Sequence, residues 1–282
     1  MTRAALLGTG LLGSAFADGL LARGGTELTV WNRTRARAEP LTALGAHVAD
    51  TPADAVRGAE RVHLVLFDDA TVDETIAALR PGLDDRAVII DHTTTLPTST
   101  AARAKRLAAD GVQFLHAPVF MSPAAARAAQ GMMLVAGDTG VFARVRDNLE
   151  RMTGEVWHVA ERPDLAAAFK LFGNAMLVAT GGGLADVFHM ADALQISRAD
   201  ALGVFDRFRI EGGIRNRGTK IVEENYAPSF HLETARKDVR LMIESADGEP
   251  VPVLRAVAGR MDELIAKGLG DEDMAVLTKK GV

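Results

Sequence analysis

Gly8-Thr9-Gly10-Leu11-Leu12-Gly13 follows the apolar run Arg3–Leu7 and opens a stretch of helical composition, and that placement decides the fold. At a strand-to-helix turn the first glycine permits a tight bend. The second lets the backbone approach a pyrophosphate at the helix N-terminus, and the third lets helix and strand pack closely. The spacing by itself is common. Set between a strand and a helix, it implies a dinucleotide site with Gly8, Thr9, Gly10, Leu11, Leu12 and Gly13 as the cofactor-binding loop. The same glycines, breaking the apolar run and continuing a strand pattern, argue against reading the N-terminal segment as a secretory leader.

Working outward, short apolar runs at Arg3–Leu7, Glu27–Trp31, Ala46–Val48, Val62–Phe67, Ala87–Asp91, Gln113–Ala117, Met132–Ala136 and Glu155–Val159 alternate with helical stretches such as Ala70–Leu79 and Pro97–Ala109. The alternation predicts βαβ units around a largely parallel sheet. From Leu165 to Gln195 no strand pattern remains; a single helix there would be roughly 46 Å long, enough to join two domains. Gly181, Gly182 and Gly183 interrupt it at ~2–3 kcal/mol relative to alanine, which predicts a kink, a tight helix crossing or a break. Ala199–Phe208, His231–Ser245 and Pro252–Lys267 keep a helical period. The expected fold is α/β: a doubly wound Rossmann-type sheet at 1–162, then an all-α domain at 163–282 begun by a long interdomain helix.

The chain has 282 residues, 48% hydrophobic and 24% charged, which suits a globular protein with a sizeable core. A net charge of −5 and a pI near 5.8 argue against nucleic acid or anionic membrane as a partner. No unbroken run of apolar residues reaches membrane-spanning length. The absence of cysteine excludes disulfides, thiolate catalysis and cysteine-ligated zinc, and agrees with a cytoplasmic setting. A small-molecule substrate is expected, with a homodimer or homotetramer formed through the helical domain. Asp186, His189 and Asp192 recur every three residues, but that spacing drifts round a helix, so no metal is expected.

Cofactor choice turns on Trp31-Asn32-Arg33-Thr34-Arg35, about twenty residues past the glycine loop. An NAD site puts a carboxylate there to meet the ribose hydroxyls. Here Asn32, Arg33 and Thr34 offer no repulsion to a 2′-phosphate, and a guanidinium can fork onto it, which predicts NADP(H). The plainer alternative makes Arg33, Arg35 and Arg37 a solvated helix start.

Four blocks in this order resemble the β-hydroxyacid dehydrogenase family, which includes 3-hydroxyisobutyrate dehydrogenase and the glyoxylate/succinic semialdehyde reductases. They are Gly8–Gly13 with Trp31–Thr34; Asp91-His-Thr-Thr-Thr-Leu-Pro97; Lys170-Leu-Phe-Gly-Asn174; and Lys237-Asp238 with the trailing Gly268–Asp273. The resemblance implies that Lys170 protonates a carbonyl oxygen as hydride arrives, or removes the hydroxyl proton in reverse. Its setting in the apolar run Ala166–Phe172 fits either a desolvated ammonium, whose pKa falls toward the useful range, or a snorkelling surface lysine. Asn174, one turn on, lies on the same helix face; it would contact substrate or hold the lysine, or be satisfied within the helix core. By resemblance Thr94 and Lys237 contact cofactor, with Leu66 in the same set, and Thr93 lies toward substrate; threonines capping the next helix are the alternative.

The chain departs from that family after Ala117-Pro118-Val119. The family's small polar Ser-Gly-Gly loop, which binds a substrate carboxylate, is replaced by Phe120-Met121-Ser122, followed by Pro123. Gly173 also stands where a second polar residue is usual. Phe120, Met121 and Ser122 are therefore expected to line a less polar, larger substrate site, unless Phe120 and Met121 simply pack beneath the loop. His92 and His116 are candidate substrate contacts or ordinary strand-end histidines. Two other functions compete with a lysine-dependent carbonyl or alcohol oxidoreductase. An imine reductase shares the architecture, though such relatives generally replace the lysine; a silent nucleotide-binding module would have no use for Lys170 and Lys237.

Overall fold

The computed structural model describes residues 2–279. Strand β1 (Thr2–Leu7) lies inside a nine-stranded sheet, paired in parallel with β2 (Thr26–Trp31) on one side and β4 (Arg61–Leu64) on the other. β3 (His47–Val48) extends the β2 side; β5 (Val88–Asp91) and β6 (Gln113–His116) extend the β4 side, all parallel. β8 (Met132–Ala136) then runs antiparallel to β6 and to the short β7 (Val119–Phe120), with β9 (Glu155–Ala160) parallel beside it. Strand order reverses between β1 and β4, so the Gly8 turn opens at the switch point, where doubly wound sheets bind ligands.

Both faces of the sheet are covered. Successive side chains alternate, so Leu6 and Ile90 enter one core with Phe16, Val30 and Val135, while Leu7 and Ile89 enter the other with Val62, Leu64 and Ile76. The covering helices are α1 (Leu11–Arg23), α2 (Pro52–Val56), α3 (Asp69–Leu79), α4 (Pro97–Ala109), α5 (Pro123–Arg127) and α6 (Thr139–Glu150). Thr51, Asp68 and Asp138 cap α2, α3 and α6 by accepting a backbone N–H. The expected strand Val62–Phe67 overruns: β4 stops at Leu64, and Phe67 is 89% exposed. β7 has no counterpart in the expected runs, being only two residues after a proline.

The long helix α7 (Asp164–Ala193) is unbroken through its three glycines. The chain divides into two compact units between Asn174 and Ala175, inside this helix, so Lys170 and Asn174 belong to the first unit. In the second unit α7 is followed by α8 (Arg198–Gly203), α9 (Ile210–Val222), α10 (Leu232–Ser245) and α11 (Pro252–Ala266). A Cβ on Gly182 would stand 2.9 Å from Val253 Cγ2, so this one glycine marks a tight crossing with α11, while Gly181 and Gly183 have nothing within 4 Å of an added Cβ. One turn further, the buried carboxylate of Asp186 accepts the Leu254 N–H at 2.8 Å and so serves the start of α11. His189 faces Glu249 and Asp192 pairs with Arg198; these residues go to three different partners, and no metal cluster forms among the described residues. Helix α9 carries Gly212, Gly213 and Gly218, which hid it from a periodicity reading. Asp273 knots the end of this unit: burial pushes its pKa up, but hydrogen bonds from Ala275, Ser229 and Lys220 outweigh that and hold it ionised.

Candidate active site

The glycine loop is specified in two different ways. A Cβ on Gly8, at φ +101°, would stand 2.2 Å from the Val65 carbonyl oxygen, and one on Gly13 only 1.9 Å from that of Gly8. Packing within the protein thus demands both glycines. Gly10 instead has nothing within 4 Å of an added Cβ and an ordinary φ of −71°. It begins α1 without a side-chain cap or an acidic first turn, leaving the N–H groups of that turn for an anion. Leu11 is exposed and Leu12 packs on the core, so each has only its backbone to offer such a ligand.

Asn32 joins this loop to the end of β2: its Oδ1 accepts the Thr9 N–H at 3.0 Å and its Nδ2 donates to the Thr34 carbonyl at 2.9 Å. A cavity of about 520 Å³ opens alongside, lined by Gly8, Gly10, Asn32, Arg33, Thr34 and Leu66, and reaching Pro52 and Glu74. Arg33 and Arg37 line it without an ion-pair partner among the described residues, whereas Arg35 is turned away onto Asp50 and Glu39. The three arginines are therefore not equivalent, which their spacing does not reveal.

The loop after β5 is fixed from below. Asp91 accepts the Thr93 N–H at 2.9 Å, and the Thr93 hydroxyl oxygen accepts the Leu66 N–H at 3.0 Å, tying the loops after β4 and β5 together. Thr93 is buried and Thr94 exposed. Neither caps α4, whose N-cap is Leu96. Arg103, 1% exposed, reaches Asp73 and Asp69 at 2.8 Å each and stands 3.9 Å from Asp91. Burial raises the Asp91 pKa, but His116 and the Thr93 bonds bring it below the usual carboxylate value.

His92 and His116 are both buried, which favours the alternative of ordinary strand-end histidines over substrate contacts. His92 Nδ1 lies 2.7 Å from the Ala117 carbonyl, and His92 Nε2 lies 2.9 Å from His63 Nδ1. A carbonyl only accepts, so the proton sits on His92 Nδ1, and His63 must donate to the bare His92 Nε2. Burial pushes both pKa values down, that of His92 to about 4. The pair is neutral, each proton used once.

Lys170 is half-buried near the start of α7, and that burial lowers its pKa. Its Nζ stands 4.2 Å from the centroid of the Phe120 ring. No carboxylate lies within ion-pair distance of it among the described residues. Phe120 lies against Gly173, where an added Cβ would meet its Cζ at 2.3 Å. Asn174 is partly exposed one turn after Lys170. Met121 turns onto the main core, and the Ser122 hydroxyl accepts the Ala125 N–H at 3.2 Å as the cap of α5. Of the loop residues expected along the substrate, Phe120 stands against the Lys170 ammonium. Lys237, on α10 in the second unit, is half-exposed and pairs with Asp238 at 2.7 Å.

Sequence reasoning missed the Phe120–Gly173 fit. Its one available signal was that both positions depart from the same family pattern, a bulky residue gained at one and a side chain lost at the other. Pro52, Thr71 and Glu74 at the far end of the cavity carried no signal, because only the folding of α2 and α3 brings them there.

Residues 3–160 match the NAD binding domain of 6-phosphogluconate dehydrogenase. An uncharacterized oxidoreductase, YfjR, of Bacillus subtilis (strain 168) is 29% identical over 281 residues, covering 98% of each chain. The chloroplastic glyoxylate/succinic semialdehyde reductase 2 of Arabidopsis thaliana is 26% identical, over 96% of this chain and 77% of its own. Among solved structures, an imine reductase from Myxococcus stipitatus in complex with NADP+ shares the fold, with a TM-score of 0.90 at 22% identity over 98% of this chain and 99% of that one.

Proposed function

Because this chain belongs to the β-hydroxyacid dehydrogenase family, with an NAD-binding domain of the 6-phosphogluconate dehydrogenase type, we infer that it is an NADP(H)-dependent oxidoreductase acting on a carbonyl or alcohol through Lys170. A nicotinamide, when held here, would supply or accept the hydride. The uncapped start of α1 and the open space at Gly10 suit a pyrophosphate, while Asn32, Arg33 and Thr34, joined by Arg37, suit a ribose 2′-phosphate. Leu66, Thr94 and Lys237 complete the proposed cofactor contacts. Lys170 gives its proton to the substrate oxygen in reduction and takes it back in oxidation, and Asn174 orients substrate or lysine.

The observation that carries this reading is a half-buried ammonium with no counter-charge among the described residues, its pKa lowered toward the range where it exchanges a proton readily. NADPH consumption with a panel of aldehydes, keto acids and cyclic imines tests it. Lys170→Ala should lower turnover ~10²–10⁴-fold with NADPH binding intact; near-normal turnover would remove Lys170 from the mechanism. Fluorescence titration should give NADPH at least about tenfold tighter binding than NADH, reversed in Arg33→Asp; equal affinities would sink the NADP(H) assignment.

Phe120, where the family carries a polar anion loop, favours substrates with an apolar portion over short carboxylated ones. The same apolar wall gives imine reduction a place as the second reading, and the cyclic imines in the panel decide it. Helix α7 is long and apolar enough to cross a membrane by length and composition. With Asp186, His189 and Asp192 along it, we read its exposed Met176, Leu177 and Val178, together with Phe208 and Ile214 of the second unit, as a homo-oligomer surface of a cytoplasmic protein. Light scattering giving a monomer would reject that.

A further inference from the structure

We infer that Phe120 is a positioning residue for Lys170: its ring is the platform on which the ammonium rests, and Gly173 is the seat that lets the ring lie against α7. The functional weight of this rests on the reading of Lys170 as the proton donor.

β7 pairs Val119 with Met133 and Phe120 with Met132 of β8, so the position of Phe120 is set by a strand, not by a free loop. The same β8 fixes the lysine. Ala166, one turn before Lys170, is buried against Leu134 and Ala136 of β8, and Met132 and Phe169 complete the apolar surroundings. Platform and lysine-bearing helix therefore both rest on β8. The ring then needs room on the helix. A Cβ at residue 173 would stand 2.3 Å from Phe120 Cζ and 2.6 Å from Cε1, so even alanine would displace it.

The chemistry explains why an aromatic ring belongs there. Burial strips water from the ammonium, which disfavours the charged form. A ring face carries the negative lobe of its quadrupole and attracts a cation within about 6 Å of the centroid; here the distance is 4.2 Å. Phe120 thus excludes water and at the same time supplies the lost electrostatic partner. A small polar loop at this position could do neither. No charged side chain contributes to the Lys170 shift, so the ring has no competitor for the ammonium among the described residues.

The test reads the amine directly. The full-length protein is labelled with acetic anhydride across pH, and the extent of acetylation at Lys170 is followed by peptide mass spectrometry; only the free amine reacts. Phe120→Leu keeps apolar bulk but removes the π face. At a fixed pH where most of the lysine is protonated, it should label about three- to tenfold faster, and the high-pH limb of turnover should move to lower pH. Gly173→Ala should shift labelling the same way by displacing the ring, and should add nothing in the Phe120→Leu background. Phe120→Met replaces Phe120→Leu if the latter fails to fold by circular dichroism. Unchanged labelling, within twofold, in a folded Phe120 variant overturns the platform. Equal effects of Gly173→Ala in both backgrounds overturn the seat. If labelling shifts as expected while Lys170→Ala retains turnover, the ring holds the ammonium as inferred and it is the proton-donor reading that fails.

Discussion

The phosphate loop and the Lys170 turn each depend on a glycine pressed against a neighbour, yet the neighbours differ in kind. At Gly13 an added Cβ would meet a backbone carbonyl oxygen at 1.9 Å; at Gly173 it would meet the far end of a phenylalanine at 2.3 Å. A carbonyl cannot move without the turn that carries it, whereas a ring can swing. One site is thus determined by the path of the chain and the other by a fit between two side-chain choices. Alanine at both positions measures the difference. Gly13→Ala should cost about 4 kcal/mol or prevent folding. Gly173→Ala sets ~1–3 kcal/mol of overpacking against ~1 kcal/mol of helix propensity gained, so its urea midpoint should fall far less. Equal losses would break the distinction.

That distinction also separates what was legible in the sequence from what was not. The glycine loop, the strand–helix alternation and the long helix were legible because they follow from backbone requirements that recur locally. Pro97–Ala109 and Met132–Ala136 match α4 and β8 residue for residue for the same reason. The site was legible only in part. Arg33, Arg35 and Arg37 look alike in sequence, and the approach of Asp50, with Glu39, removes Arg35 from the cavity. Ser122 caps α5 by accepting the Ala125 N–H, which leaves its own O–H free to donate. Side chains whose partners come from distant segments carry no local periodicity to betray them.

The two regions are joined by the buried histidine pair. The His92 ring lies 5.3 Å from that of Phe16 on α1, the helix that the phosphate loop opens, and its Nδ1–H bonds Ala117, three residues before Phe120. The folded-state pKa is depressed, to about 4 for His92 and well below 6.5 for His63, chiefly by burial. Stability from the neutral pair is therefore complete above the unfolded value near 6.5. It declines as pH falls toward 4, because the unfolded chain takes up protons that the folded one excludes. The loss should be about 1.4 kcal/mol per pH unit for each histidine inside that window. Urea midpoints at pH 7 and pH 5 should differ accordingly, and less in His63→Leu/His92→Phe. Identical midpoints in the native chain would mean that the pair does not link the regions as a neutral unit.

Gly10→Ala should change stability least of the substitutions in this turn. Gly10 sits between Gly8 and Gly13 in the same turn, but its backbone is at φ −71° and ψ −168°, a conformation alanine adopts readily, and an added Cβ meets nothing within 4 Å. Restricting the unfolded chain gains ~0.4–1 kcal/mol, while alanine is the poorer residue at a helix start by a similar amount. The thermal midpoint should stay within about 2 °C of the native one. Yet Gly10 lines the cavity beside an uncapped helix N-terminus, and a methyl there would occupy the space through which a pyrophosphate approaches the first-turn N–H groups. NADPH affinity should fall by at least about tenfold, equivalent to ~1.4 kcal/mol of binding. Gly10→Ala should then fold normally and bind poorly, while Gly13→Ala should do neither well. Native NADPH affinity in Gly10→Ala would place the pyrophosphate elsewhere and leave the open space at Gly10 without a ligand.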